Sequence, residues 1–425
     1  MRKILILGAG KSSVVLIDYL VEHSQQEQWQ VTVADITVEQ AIQKTKGREN
    51  TAPIGADLSN ETARRKLIEG ANIVISMLPA ALHLMVASDC LQLKKNLVTP
   101  SYISDQMHKL DKDVVEAGLV FMNEMGLDPG IDHMSAMQII DALKKDGKRI
   151  TGFESHCGGL VAPESDDNPW HYKFTWNPRN LILAGQGEGG IHYLKDGKKV
   201  DLKYEELFAN TGEIEIEGNN KFESYPNRDS LKYIAEYGLE GIKTMYRGTL
   251  RVPPFCKGWN FLVKAGLTRE KECNTAVLVK DLKNELEHCD NETLSLLNSI
   301  QLAEELEVYQ ASVIIPSQKL QNILEQKWKM NAADKDMIVM VHQITFEEAG
   351  QKKKLQSSLV YIGKDAEHTA MATTVGLPVG MVTRMILNNQ LERRGVLMPK
   401  YPEIYNPILA ELKQYGITFK EKIIN

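Results

Sequence analysis

The feature that most narrows what this chain can fold into lies at its start: Ile4, Leu5, Ile6 and Leu7, then Gly8, Ala9, Gly10, Lys11, Ser12 and Ser13, then Val14, Val15, Leu16 and Ile17. Four apolar residues without alternation suit a strand buried on both faces, and the apolar run continued by Tyr19 and Leu20 suits a helix. The glycine pair between them permits a tight turn in which backbone amides approach a pyrophosphate at a helix N-terminus. Ser13 stands where a third glycine is usual, and glycine pairs after strands also occur in ordinary turns. Val31 to Ala34 then reads as a second strand that ends in Asp35, 25 positions beyond Gly10. An acid there accepts hydrogen bonds from the ribose hydroxyls of NAD and repels the extra phosphate of NADP, although aspartate also suits a helix cap.

The alternation of strand and helix persists to about residue 125. Ile73 to Leu78, Leu97 to Thr99 and Leu119 to Met122 read as strands, and Glu61 to Glu69, Leu82 to Leu93 and Gln106 to Ala117 as helices. The pattern predicts an α/β fold: a Rossmann-type parallel sheet with helices on both faces and ligands beyond the carboxyl ends of its strands. Asp57 and Leu58, Pro79 to His83, Pro100 to Ile103 and Asn123 to Asp132 follow such ends and should line one crevice. Ser101 and Tyr102 place two hydroxyls there. Glu124, Asp128, Asp132 and His133 add acids and a histidine among turn formers. A capped helix from Asp132 to Lys144 explains Asp132 and His133 as well as catalysis does, but explains Glu124 and Asp128 less well.

Beyond residue 150 the pattern changes. Phe153 to Cys157 reads as a strand running into a loop at Gly158 and Gly159. Ile191 to Lys195, Ile214 to Glu217 and Thr244 to Leu250 read as strands, and Met337 to Phe346 with Leu355 to Ile362 as a hairpin around Ala349 and Gly350. Thr275 to His288, Glu292 to Leu306 and Pro316 to Met330 carry amphipathic helical patterns, and small residues from Ala370 to Gly376 suit close helix packing. Arg228, Arg247 and Arg251 stand near turns, where a guanidinium can grip a carboxylate through two parallel hydrogen bonds.

A net charge of −6 leaves no basic footprint for nucleic acid. No apolar run approaches a membrane span, and no signal peptide opens the chain, so the expected location is cytoplasmic. The five cysteines are widely spaced, which predicts free thiols and no metal site.

Several longer motifs are more specific. Ser101 to Ser104, Met122 to His133, Cys157 to Glu164, Asp167 to Trp176, Tyr225 to Ser230, Tyr246 to Arg251 and Val375 to Gly380 together make the chain similar, over essentially its whole length, to the L-glutamate-forming saccharopine dehydrogenase family, also called saccharopine reductases. The resemblance implies a dinucleotide-binding domain from 1–125 with 378–425, an α/β substrate-binding and dimerisation domain from 126–255 with 337–377, and a helical subdomain at 256–336. It implies a homodimer in which a nicotinamide cofactor takes hydride from the carbon beside the secondary amine of saccharopine. Water then splits the imine into L-glutamate and 2-aminoadipate 6-semialdehyde.

The substrate contacts so implied are Ser101, Tyr102, Asp128, Arg228, Thr249, Leu250 and Arg251, with Cys157, Gly159, Leu160 and Trp176 as neighbours. Saccharopine carries three carboxylates, which suit Arg228 and Arg251, and a secondary ammonium, which suits Asp128. Tyr102, Asp128 or an ordered water would move the proton. The cofactor contacts are Gly8, Gly10, Lys11, Ser12, Ser13, Asp35, Ile36, Asp57, Leu58, Met77, Leu78, Pro79, His83 and Ser101. Fungal relatives carry a basic or hydroxyl residue after the second strand, as suits NADP, whereas Asp35 argues for NAD with NADP possible. Two other readings compete. A carboxynorspermidine dehydrogenase-like reductase would want fewer arginines and more acids, and a nucleotide-binding regulator without turnover would not need Tyr102, Asp128 and Arg228 intact.

Overall fold

Ile4 to Leu7 are each at most 2% exposed and lie in an interior strand, Arg2–Leu7, of a parallel sheet. The fold comes from a computed structural model and is described for residues 1–187, 189–216, 220–307 and 313–424. Among these the sheet has seven strands, in the order Gly395–Leu397, Val120–Met122, Asn96–Val98, Ile73–Ser76, Arg2–Leu7, Trp29–Asp35 and Thr51–Gly55. The order reverses between Arg2–Leu7 and Ile73–Ser76. The turns after these two strands therefore diverge to opposite faces and leave a crevice between them, the place where such sheets take ligands. Pro53, which cannot donate to a ladder, sits on the edge strand.

This sheet belongs to one of two units, Met1–Ala142 with Glu367–Thr418; the other is Leu143–Ala366 with the segment from Phe419. Seams were expected at 125/126 and 377/378, while the units divide at 142/143 and 366/367. Hydrogen bonds account for the first shift. Tyr405 Oη donates to Asp141 Oδ2 (2.7 Å) and Gln138 Nε2 to Asn406 Oδ1 (3.2 Å), which holds most of helix Ile131–Lys145 in the first unit.

Helix packing accounts for the second. Helix Ala370–Leu387 belongs whole to the first unit and packs on helix Val14–Glu22, so close that a Cβ on Gly376 would stand 2.7 Å from the Leu16 backbone nitrogen. Replacing Gly376 by alanine is expected to lower stability by about 1–3 kcal/mol through overpacking. The check is a fall in the urea midpoint at unchanged slope; an unmoved midpoint would mean that the helices part at no cost. This helix also corrects the expectation that no segment has membrane length: its 18 residues are long and apolar enough to cross one, but 83% of that window is buried. Thr373, Thr374 and Pro378 disguise its apolarity in the sequence.

The second unit is built on a mixed sheet of nine strands among the described residues. Its main path runs Gly212–Ile216, Asn220–Pro226, Thr244–Arg251, Arg149–Val161, Asp336–Glu348, Gln351–Ile362 and Lys420–Ile424, and the hairpin Ile191–Lys195 and Lys198–Leu202 joins at Thr244–Arg251. The expected strand at 214–217 ends at Ile216, and Glu217 lies outside the described residues. The expected loop at Gly158 and Gly159 is instead strand, because glycine admits the neighbouring strand: a Cβ on Gly158 would come within 2.8 Å of Leu250.

The expected helix from Glu292 to Leu306 breaks into Asn291–Ser299 and Leu302–Glu307, with Gln301 left-handed at φ 53°. The stretch read as a separate helical subdomain, 256–336, shares one core with the segment before it. Trp170, Tyr172, Phe174 and Tyr225 pack with Phe255, Trp259, Leu262, Leu320 and Trp328. Aromatic surface from both segments is buried together in that core.

Candidate functional site

In the first unit the glycine turn has the form a pyrophosphate needs. Gly8 takes φ +103° and its amide donates to the Ala34 carbonyl (2.8 Å). Gly10 is extended, and a Cβ built on it would meet nothing within 4 Å, which leaves its backbone open to a close ligand. Lys11–Ser13 then forms a 3₁₀ turn leading into Val14–Glu22. Ser13 replaces the third glycine without strain: it is buried, and its hydroxyl donates to the Gly10 carbonyl (2.7 Å). Lys11 is exposed and Ser12 half-buried.

Asp35 stands at the end of its strand, and the helix cap weighed as the alternative to a ribose contact is not what it makes. Asp35 Oδ2 accepts from the Ala9 amide (2.5 Å) and Oδ1 from the Ile36 amide (2.7 Å), so the carboxylate braces the glycine turn. Ile36 is 70% exposed beside it. Asp57 is held below the usual carboxylate range by hydrogen bonds from the Ser59 hydroxyl and amide. Leu58 is buried and its carbonyl accepts from Arg64 Nη1 (2.9 Å). Met77 and Leu78 are half-buried, and the Met77 amide donates to the Leu7 carbonyl (2.8 Å), across the reversal of strand order. Pro79 caps helix Ala80–Gln92.

A polar chain follows the carboxyl ends of the next strands. His83 is buried, with Nδ1 hydrogen-bonded to Ser76 Oγ (2.8 Å) and Nε2 to Ser101 Oγ (2.7 Å). Burial pushes its pKa down to about 4, so near neutral pH the uncharged ring donates through one nitrogen and accepts through the other. Ser76 was not singled out in the sequence; its signal is its position at the end of the strand Ile73–Ser76.

Next along the crevice, Tyr102 Oη donates to Asp128 Oδ1 (2.9 Å). Both side chains are half-buried, in contact with solvent and with each other. Asp128 belongs to a turn closed by the Gly126 amide to the Pro129 carbonyl and the Ile131 amide to the Gly126 carbonyl, 2.9 Å each. Asp132 lies inside the first turn of helix Ile131–Lys145 and is not its cap; Oδ1 accepts from the Gly130 amide (2.6 Å). Such an arrangement can hold a dinucleotide, and it offers a phenol and a carboxylate for moving a proton.

In the second unit, Cys157 pairs with Thr249 across the parallel strands, and Leu250 packs on Gly158. Leu160 and Leu250 are fully buried in the apolar face of the sheet, so only their backbone could meet a ligand. Gly159 and Trp176 are half-buried. Arg228 is exposed and left-handed, at φ 54°, a conformation that costs a bulky residue energy and that marks functional sites.

Arg251 differs from that picture. It is 4% exposed and stacked near the rings of Tyr172 (5.2 Å), Tyr225 (5.6 Å) and Phe255 (5.2 Å). Nη1 donates to the Leu250 carbonyl (2.8 Å) and Nη2 to Tyr225 Oη (3.3 Å), while Nε has no partner among the described residues. That leaves one buried donor for a further acceptor. Arg247 is likewise buried, its guanidinium 4.4 Å from the centre of the Tyr233 ring.

The chain is similar to known proteins over its whole length. The family model described as Saccharopine dehydrogenase NADP binding domain matches residues 4–122, and Saccharopine dehydrogenase C-terminal domain matches residues 126–417. The chain is 32% identical to saccharopine dehydrogenase [NADP(+), L-glutamate-forming] of Saccharomyces cerevisiae, over 100% of this chain and 99% of that one. It is 34% identical to the mitochondrial alpha-aminoadipic semialdehyde synthase of Mus musculus over 98% of its own length, but spans about half, 47%, of that longer relative. The solved apo saccharopine dehydrogenase (L-Glu forming) from Saccharomyces cerevisiae superposes with a TM-score of 0.86 at 32% identity and covers 100% of both chains.

Proposed function

Because the chain belongs to the saccharopine dehydrogenase family, we propose that it oxidises saccharopine, with a nicotinamide cofactor and water, to L-glutamate and 2-aminoadipate 6-semialdehyde. The observation that carries this reading is the Tyr102–Asp128 hydrogen bond (2.9 Å) at the carboxyl end of a sheet whose glycine turn is open at Gly10. The turn at Gly8 to Ser13, the Met77 to Pro79 segment and Asp35 would hold the dinucleotide. When bound, its pyridine ring accepts the hydride. The chain's own groups bind, orient and move protons: the Asp128 carboxylate suits the secondary ammonium, Tyr102 shares its hydrogen bond, and Arg228 suits a substrate carboxylate. The expected assembly is a homodimer. Initial rates with saccharopine and each cofactor in parallel test the reading, and no turnover with either cofactor would reject it.

The printed names of the fungal relatives and of the family model carry NADP. Asp35 supports the opposite preference for this chain. Its carboxylate sits at the end of the second strand, beside the exposed Ile36, where a ribose phosphate would meet negative charge. Asp35→Ser combined with Ile36→Arg is expected to shift the ratio of kcat/KM toward NADP by at least about tenfold, since juxtaposed like charges cost several kcal/mol. An unchanged ratio would remove Asp35 from cofactor selection.

A further inference from the structure

The loop that carries Tyr102 is anchored on both sides by one residue. The Glu124 amide donates to the Ser101 carbonyl (2.9 Å), and Glu124 Oε1 accepts from the Ile103 amide (2.9 Å). Glu124 Oε2 accepts from His133 Nε2 (2.7 Å), and both side chains are buried. His133 stands in the first turn of helix Ile131–Lys145, directly after the turn that carries Asp128. One carboxylate thus joins the loop bearing the phenol to the segment bearing its acceptor.

The arrangement is costly for the fold. Glu124 is left-handed at φ 53°, and a buried carboxylate must be fully hydrogen-bonded to be tolerated. A residue chosen for stability alone would need neither feature.

We propose that Glu124, held by His133, is a positioning residue: it fixes the Tyr102 loop against the Asp128 turn and so sets the geometry of the Tyr102–Asp128 hydrogen bond. The inference deepens the saccharopine reading and rests on it for the kinetic readout. A second readout needs no substrate. The ¹³Cζ resonance of Tyr102, identified by its loss in Tyr102→Phe, reports the hydrogen bond in the full-length protein.

A misplacement of about 1 Å costs roughly 100-fold in rate. Glu124→Ala is therefore expected to lower kcat for saccharopine oxidation about that much, with KM within about threefold, the mark of an interaction used in the transition state. The Tyr102 resonance should shift in the same variant. Glu124→Gln keeps an acceptor for Ile103 and, with the other His133 tautomer, the tie to the helix. It should return both the resonance and most of the rate. A folded Glu124→Ala protein with near-parental kcat, or with the Tyr102 resonance unmoved, would overturn the proposal. Should Glu124→Ala not fold, His133→Leu decides: a moved resonance supports the tie and an unmoved one rejects it. If the parent protein fails to oxidise saccharopine, the function proposed above falls, while the positioning role is still judged by the resonance.

Discussion

Replacing Asp128 by alanine is expected to lower kcat/KM for saccharopine by about 10²- to 10⁴-fold, the usual contribution of a positioned acid or base. The carboxylate accepts from Tyr102 Oη at 2.9 Å and is half-buried, so it is available both to the phenol and to a ligand. Two proposed roles meet in it. As an anion it would attract the secondary ammonium of saccharopine, and as a hydrogen-bond acceptor it would orient the hydroxyl that can pass a proton. The effects separate in kinetics: lost attraction raises KM, whereas lost proton transfer lowers kcat. Affinity for the reduced cofactor, read by its fluorescence, should stay near that of the parent, because the glycine turn and Asp35 are untouched. A kcat/KM within about fivefold of the parent would discard Asp128 as a participant, since that is far below what such a group supplies.

Replacing Arg228 by alanine is expected to weaken saccharopine binding by about 2–5 kcal/mol, the cost of removing one member of a hydrogen-bonded charge pair that the bound substrate would bury. That corresponds to a rise in KM of roughly 30- to 4,000-fold, at about 1.4 kcal/mol for each factor of ten. Arg228 is exposed, so its loss should leave the core and the melting temperature nearly unchanged. Arg251 makes the opposite case: enclosed by Tyr172, Tyr225 and Phe255, it would cost stability when truncated, whatever it does for a ligand. A near-parental KM in Arg228→Ala would remove its guanidinium from substrate binding.

These two arginines illustrate what can be read from residue order. Both stand in motifs that mark the family, and both were expected to face the substrate. Nothing local distinguishes them. One lies in a left-handed turn at the surface, while the other ends a strand whose side chain turns into an aromatic cluster assembled from distant segments. The glycine pair at Gly158 and Gly159 misleads in a similar way: read locally it ends a strand, but a neighbouring strand packed on Gly158 keeps it inside one.

By itself, the order of residues determined the strand Arg2–Leu7, its glycine turn, the helix after it and the carboxylate closing the second strand, because burial periodicity and backbone freedom act over a few residues. Only the tertiary structure decided that Asp35 braces Ala9, that Tyr102 meets Asp128 across 26 positions, and that Glu124 and His133 join the two segments. Those contacts depend on which strands lie side by side and on how their loops emerge from the sheet. That order is set by the packing of the whole unit, and no short stretch of the chain carries it.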